Sequence, residues 1–189
     1  TDFRADGFDA HQAYTWLRPV DELTFKLGRQ EIDLATYRLL GKAEFAEQGR
    51  SFDALSAHFE AADVTVDLAY ALVRDYAEMP INPPGVEGKR HLGIIHVHDK
   101  LFRWLEPGII ATLDGDTSNS EFMATFGLYV RGAVGRTVEL SYRGEGYLQY
   151  GDRGPAGDHE AYLVNGGGRA TVDVYGRPYV DLEATLHSG

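Results

Sequence analysis

The sequence of 189 residues contains no cysteine, and this absence removes several kinds of chemistry at once. Disulfide bonds, thiolate ligands to a metal and a cysteine nucleophile are all excluded. Any metal site in this chain must therefore be built from histidine, carboxylate or other oxygen ligands.

Long apolar runs are also missing. No stretch of the sequence approaches the ~18 consecutive apolar residues that a membrane-spanning helix needs. The N-terminal residues carry acids within a mildly apolar run and lack the basic-then-apolar order of a secretory signal. We therefore expect a soluble, cytoplasmic protein that has no membrane partner.

Positive charge is scarce. Lysine and arginine number 18 against 29 aspartates and glutamates, which gives a formal net charge of −11. Such a charge repels phosphate backbones and anionic lipids, so we expect no nucleic-acid partner. The same argument predicts a small-molecule ligand that is neutral or cationic.

Aromatic residues are plentiful. They make up 12% of the chain and include eleven tyrosines, more than packing alone requires, and a buried tyrosine hydroxyl must find a partner. This composition predicts tyrosine-rich pockets or interfaces. The length favours a single domain with a substantial core.

Two apolar rhythms follow each other between Ser51 and Asp67. Phe52, Leu55 and Phe59 are spaced as one stripe of a short helix, whereas Val64 and Val66 alternate with polar residues as in a half-buried strand. We therefore predict a helix that leads directly into a strand, with the two valines facing the core. Helical spacing also predicts a helix that begins at Glu31 and another over residues 70–76.

The segment from His91 to Leu105 fits two structures. As a helix it places His91, His98 and Leu105 on one face, whereas as a strand it places His96 and His98 together on one side. The continuous rhythm and the stop signal at Pro107 favour the helix.

From Ile109 onward the chain alternates between apolar and polar residues and is divided by turn signals, which predicts an antiparallel meander. In one of its strands Phe122, Phe126 and Leu128 share a face, and we expect that face to line the core.

Two motifs in this order resemble the SnoaL-like, nuclear-transport-factor-2-like (NTF2-like) proteins. The first is FDALSAHFEAADVTVD, from Phe52 to Asp67, and the second is LDGDTSNSEF, from Leu113 to Phe122. The resemblance covers roughly Glu31 to Tyr150. It implies an α+β, cone-shaped fold with N-terminal helices packed on a curved antiparallel sheet, a deep hydrophobic pocket and frequent homodimers.

The resemblance also implies a domain division and an activity class. Residues 1–30 lie outside it and are expected to form an N-terminal arm, with residues 31–189 as a single NTF2-like domain. Family members include cyclases, isomerases and dehydratases, some of them in polyketide biosynthesis. One departure matters: the inward carboxylate of the isomerases falls on Leu68 here, while Asp67 is expected to point away.

Our function hypothesis is a cofactor-independent acid/base enzyme that acts on a neutral, polyketide-like or terpenoid-like molecule in an internal pocket. We predict His98 as the acid/base group, because a histidine titrates near neutral pH, with Asp67 and Tyr37 as weaker catalytic candidates. Neither a metal nor a cofactor is expected. The predicted substrate-binding residues are His58, Trp104, Phe126, Tyr142 and Tyr147.

Two alternatives remain open. A non-catalytic small-molecule carrier or dimeric interaction module is favoured if the cavity holds no titratable side chain. A histidine-ligated metalloenzyme requires residues 91–99 to form a strand, because only a strand brings His96 and His98 to the same side.

Overall fold

The computed structural model describes residues 12–32, 51–75, 88–118, 120–154 and 157–188. These residues form ten β-strands and no α-helix. The strands are β1 (Ala13–Val20), β2 (Leu23–Gln30), β3 (Phe52–Ala61), β4 (Val64–Asp75), β5 (Lys89–Asp99), β6 (Glu106–Asp116), β7 (Glu121–Val134), β8 (Val138–Asp152), β9 (Asp158–Val172) and β10 (Tyr179–His187). Within the described ranges, no helix has the length and apolar character that crossing a membrane would take.

All ten strands belong to one antiparallel sheet, and each strand pairs with the next along the chain. The first two strands fall inside the predicted N-terminal arm, and β2 pairs with β3 along its whole length. Two-residue connections join β1 to β2 and β3 to β4, the second of them through Ala62 and Asp63. Ala62 has a positive φ of 52°, the conformation that two-residue hairpins require.

The α+β cone with N-terminal helices is wrong for the described residues. The predicted helix at Phe52–Phe59 is β3, because its apolar residues also fit a two-residue period, in which Leu55 and Phe59 share one face. Pairing with β2 on one side and β4 on the other satisfies the backbone of β3, which local periodicity could not reveal. The helix predicted to begin at Glu31 falls largely on residues 33–50, which lie outside the described residues.

Two further helix predictions are wrong, and the meander is confirmed. Residues 70–75 continue β4, and the segment from His91 to Asp99 belongs to β5, the alternative that we had considered less favoured. From Ile109 onward the chain forms β6 to β10 in consecutive antiparallel pairs.

The two faces of the sheet differ sharply in burial. One face, which we call the inner face, carries the buried cluster of Ile32, Ala54, Ala71, Leu92, Ile94, Ile110 and Tyr147. The opposite, outer face carries large apolar side chains that stay about half exposed, among them Leu128 at 54% and Phe126 at 49%. Phe122, Phe126 and Leu128 do share a face, but it is the outer one, so our prediction that this face lines the core was wrong.

The same alternation reverses our orientation of β4. Val64 is exposed on the outer face, whereas Thr65 is buried on the inner face. Asp67 therefore lies on the inner face, and Leu68 is exposed on the outer one. Because the period of a strand is two, an error of one residue moves every side chain to the wrong side.

Candidate metal centre

A row of polar side chains crosses the inner face from β2 to β5. Register places Thr24 opposite His58, His58 opposite Asp67 and Asp67 opposite His96. His98 lies two residues beyond His96 and so projects from the same face. The sheet thus gathers a carboxylate and three imidazoles from three consecutive strands.

Hydrogen bonds connect this row into a chain. Asp67 Oδ1 lies 2.6 Å from His58 Nδ1, and Asp67 Oδ2 lies 2.9 Å from His96 Nδ1. An ionised carboxylate only accepts, so both Nδ1 atoms carry protons and donate to it. A neutral His96 then accepts the Tyr129 hydroxyl at its Nε2, across 2.7 Å.

Tyr129 reaches His96 from two strands away. It lies opposite Gly108, and its ring extends across β6 to stack on the His96 ring, with centroids 5.9 Å apart. A Cβ at Gly108 would come within 2.2 Å of the Tyr129 ring, so only glycine leaves the ring its space. Burial raises the pKa of Tyr129 to about 12, and the hydroxyl therefore remains a donor.

The electrostatics of the row favour a charged Asp67 carboxylate near a neutral His98 imidazole. Burial by itself would raise the pKa of Asp67, but the hydrogen bonds from His96 and His58 more than offset it and lower the pKa below its usual value. The pKa of His98 is also lowered, first by burial and then by the neighbouring His96. A neutral imidazole next to an ionised carboxylate is the protonation state that binds metal ions.

Asp67, His96 and His98 have the arrangement of a metal-binding group. Each offers one ligand atom, and these three atoms lie within 4.8 Å of one another. Tetrahedral ligands at about 2.1 Å from zinc are separated by roughly 3.4 Å, so small side-chain rotations suffice. Among the described residues, the buried Nδ1 of His98 has no hydrogen-bond partner, which leaves it available as a ligand.

A cavity of about 540 Å³ opens beside this group. Its volume falls within the range of small-molecule sites. Residues from β2 to β5 and from the segment after β2 line it: Thr24, Lys26, Gln30, Glu31, Ile32, Ser56, Ala57, His58, Thr65, Asp67, Leu68, Ala69 and His98. Nine of these thirteen residues are polar, whereas the resemblance implied a deep apolar pocket.

Three of the predicted site residues meet at this cavity. His98, Asp67 and His58 all line it, so it contains titratable side chains. This is the feature that we expected to be missing from a non-catalytic carrier.

The remaining predicted residues lie elsewhere. Trp104 is exposed and stacks on Phe102, Phe126 is on the outer face, and Tyr142 donates a hydrogen bond to the Trp104 carbonyl oxygen. Tyr147 is buried on the inner face and lines a separate cavity of about 310 Å³. Tyr37 falls outside the described residues.

Sequence reasoning missed two residues of the site. His96 is part of the His-x-His pattern, but our helical interpretation of this segment placed His96 and His98 on different sides of a helix. Tyr129 carried no local signal, because its contact with His96 joins residues 33 positions apart. The position of Gly108 opposite Tyr129, which leaves room for the ring, can be recognised only when the strand register is known.

Comparison with protein-family models, with curated proteins and with solved structures gives no match to this chain. The NTF2-like resemblance thus rests on its two short motifs alone, and the all-strand fold contradicts the α+β architecture that it implied. The cyclase, isomerase and dehydratase activities derived from that architecture lose their basis.

Proposed function

We propose that this protein binds a divalent transition-metal ion through Asp67, His96 and His98 and presents it to a small molecule in the adjoining cavity. The observation that carries the proposal is the convergence of three ligand atoms within 4.8 Å, two of them from residues that line the cavity, Asp67 and His98. Two imidazoles and one carboxylate form a donor set that takes zinc or ferrous iron.

The surroundings of the three ligands support this assignment. In metal sites, the ring nitrogen that does not bind the ion usually meets a hydrogen-bond partner that fixes the ring orientation. Tyr129 fills this role at His96 Nε2, and His58 holds the second carboxylate oxygen of Asp67. If Asp67 and His96 held the ion, the imidazole proton of a neutral His96 would move from Nδ1 to Nε2, and Nε2–H would donate to the Tyr129 hydroxyl oxygen.

Three protein ligands leave coordination positions open, as catalytic metal sites do. His98 and Asp67 border the cavity, so the open positions would face its contents. An ion at that point can polarise a bound oxygen or lower the pKa of a bound water. The proposal therefore includes metal-assisted chemistry on a small-molecule substrate.

A second candidate is acid/base chemistry without a metal. The observation that favours it is the hydrogen-bonded chain His58–Asp67–His96, in which the carboxylate orients His58 at the cavity wall. Such an orienting carboxylate is typical of general-base histidines. A chelator separates the two candidates, because it abolishes only the metal-dependent activity.

The metal proposal is tested by titrating purified, chelator-treated protein with Zn²⁺ in a calorimeter and by elemental analysis after dialysis. We expect about one bound ion per chain, and His98→Ala or Asp67→Asn should weaken binding by about 100-fold or more, in line with the loss of a direct ligand. His91→Gln is the matched control, because His91 lies on the same strand but contacts Tyr70 on the other face. Absence of stoichiometric zinc, or equal affinity in His98→Ala and His91→Gln, would overturn the proposal.

A further inference from the structure

Among the described residues that line the cavity beside the proposed metal centre, Lys26 on β2 is the one lysine or arginine. Its ammonium lies 5.3 Å from the centre of the Tyr14 ring, an arrangement in which the ring face attracts the cation. Among the described residues, no carboxylate lies within ion-pair distance of Lys26, although the chain has a large excess of acids. Within the described part of the chain the ammonium thus has a ring contact but no carboxylate partner, and it can pair with an anionic ligand.

Register fixes the separation between Lys26 and the metal ligands. Lys26 lies opposite Ser56 on β3, two residues along from His58, which in turn lies opposite Asp67. Lys26 and Asp67 are separated by two strand spacings across the sheet and by two residues along the strands, so their Cα atoms lie roughly 12 Å apart. Because Lys26 and Asp67 both line the cavity, a small molecule inside it can contact both residues.

The wall between these two ends is already ordered. Gln30 is 3% exposed and donates from Nε2 to the Ala54 carbonyl oxygen across 2.9 Å. Ser56 donates its hydroxyl proton to Gln30 Oε1 across 2.8 Å. The Ser56 hydroxyl oxygen therefore still has lone pairs that can accept a hydrogen bond from a ligand, and the side chain need not change its conformation to do so.

Local charge favours an anion here despite the acidic chain. A divalent ion would bring two positive charges to a wall that carries the Asp67 and Glu31 carboxylates, and the ammonium of Lys26 adds a third positive charge. Charges farther away than the Debye length of about 8 Å are largely screened at physiological salt, so the net charge of the whole chain has little weight inside the cavity. An anionic ligand at this site would differ from the neutral or cationic ligand that we expected from the net charge.

We infer that the cavity binds a small organic carboxylate, with a polar atom of the ligand on the metal ion and the carboxylate on Lys26. This inference rests on the proposed metal centre, because without the ion the two acids of the cavity would repel such a ligand.

The experiment measures binding to zinc-loaded protein by calorimetry with three probes: succinate, its uncharged diamide succinamide, and inorganic phosphate. Succinate should bind at least tenfold more tightly than succinamide, and Lys26→Met should remove at least tenfold of the succinate affinity while zinc affinity stays unchanged. Lys26→Arg should retain most of the binding. Lys89→Met is the control, since it makes the same change in net charge away from the cavity wall.

The possible results distinguish a failure of the carboxylate inference from a failure of the proposed metal centre. If zinc binds but succinate and succinamide bind equally, or Lys26→Met and Lys89→Met behave alike, the carboxylate inference is overturned and the metal centre stands. Binding of phosphate without binding of succinate also overturns it, in favour of an inorganic oxyanion. Absence of zinc binding overturns both.

Discussion

The hydroxyl of Tyr129 offers a direct test of the hydrogen-bonded chain. In Tyr129→Phe the ring is retained, while the partner of His96 Nε2 is lost. His96 is 2% exposed, so this nitrogen would be buried without a hydrogen bond. Leaving a buried polar atom unsatisfied costs about 1–3 kcal/mol of folding free energy. At about 2–4 °C per kcal/mol for a chain of this size, the melting temperature should fall by roughly 2–12 °C.

The same substitution should weaken zinc binding, because Tyr129 holds the ring that carries a proposed ligand. Loss of such an outer partner typically costs about 10–100-fold in metal affinity. Thermal unfolding followed by circular dichroism measures the stability of the metal-free protein, and calorimetry measures the zinc affinity.

Tyr147→Phe is the matched control for both measurements. Its hydroxyl donates to Glu145 Oε2 across 2.8 Å, and Glu145 also accepts a hydrogen bond from Asn165. Glu145 therefore keeps a hydrogen bond at its other oxygen, Oε1, and the Tyr147 hydroxyl bonds a residue that is not a proposed zinc ligand. If Tyr129→Phe is as stable as the wild type and binds zinc equally well, the chain of hydrogen bonds does not act as we describe.

Two further predictions concern the glycine opposite Tyr129 and the outer face. Gly108→Ala should displace the Tyr129 ring and weaken zinc binding about 10–100-fold. Gly127→Ala forces a similar clash, with the Tyr147 ring at 2.4 Å, but should leave the zinc affinity of the folded protein unchanged. Competition with a chelator measures the zinc affinity of both variants. We expect the chain to form a homodimer through its outer face, because exposed apolar patches of this extent are typical of interaction sites. Leu128 is 54% exposed, and Leu128→Lys should then be a monomer in sedimentation velocity. Val174→Lys, which changes a residue in the connection between β9 and β10, should remain a dimer. A monomeric wild-type protein would contradict this prediction.

Local sequence patterns determined the second half of the fold and part of the site. The alternation after Ile109, interrupted by turn residues, admits only strands, and the meander follows from it. His98 and Asp67 could be selected by residue type alone, since few side chains titrate near neutral pH or bind metals. Composition likewise excluded all thiolate chemistry.

Tertiary structure decided the first half of the fold and the assembly of the site. The apolar residues of Phe52–Ala61 and Lys89–Asp99 fit both a helical and a strand period, and pairing with neighbouring strands selects the strand. That pairing brings Asp67 opposite His96 across 29 positions of sequence and orders the carboxylate between two imidazoles. A contact of this kind depends on register, and register is set by the hydrogen bonds of the whole sheet, which no short window of sequence contains.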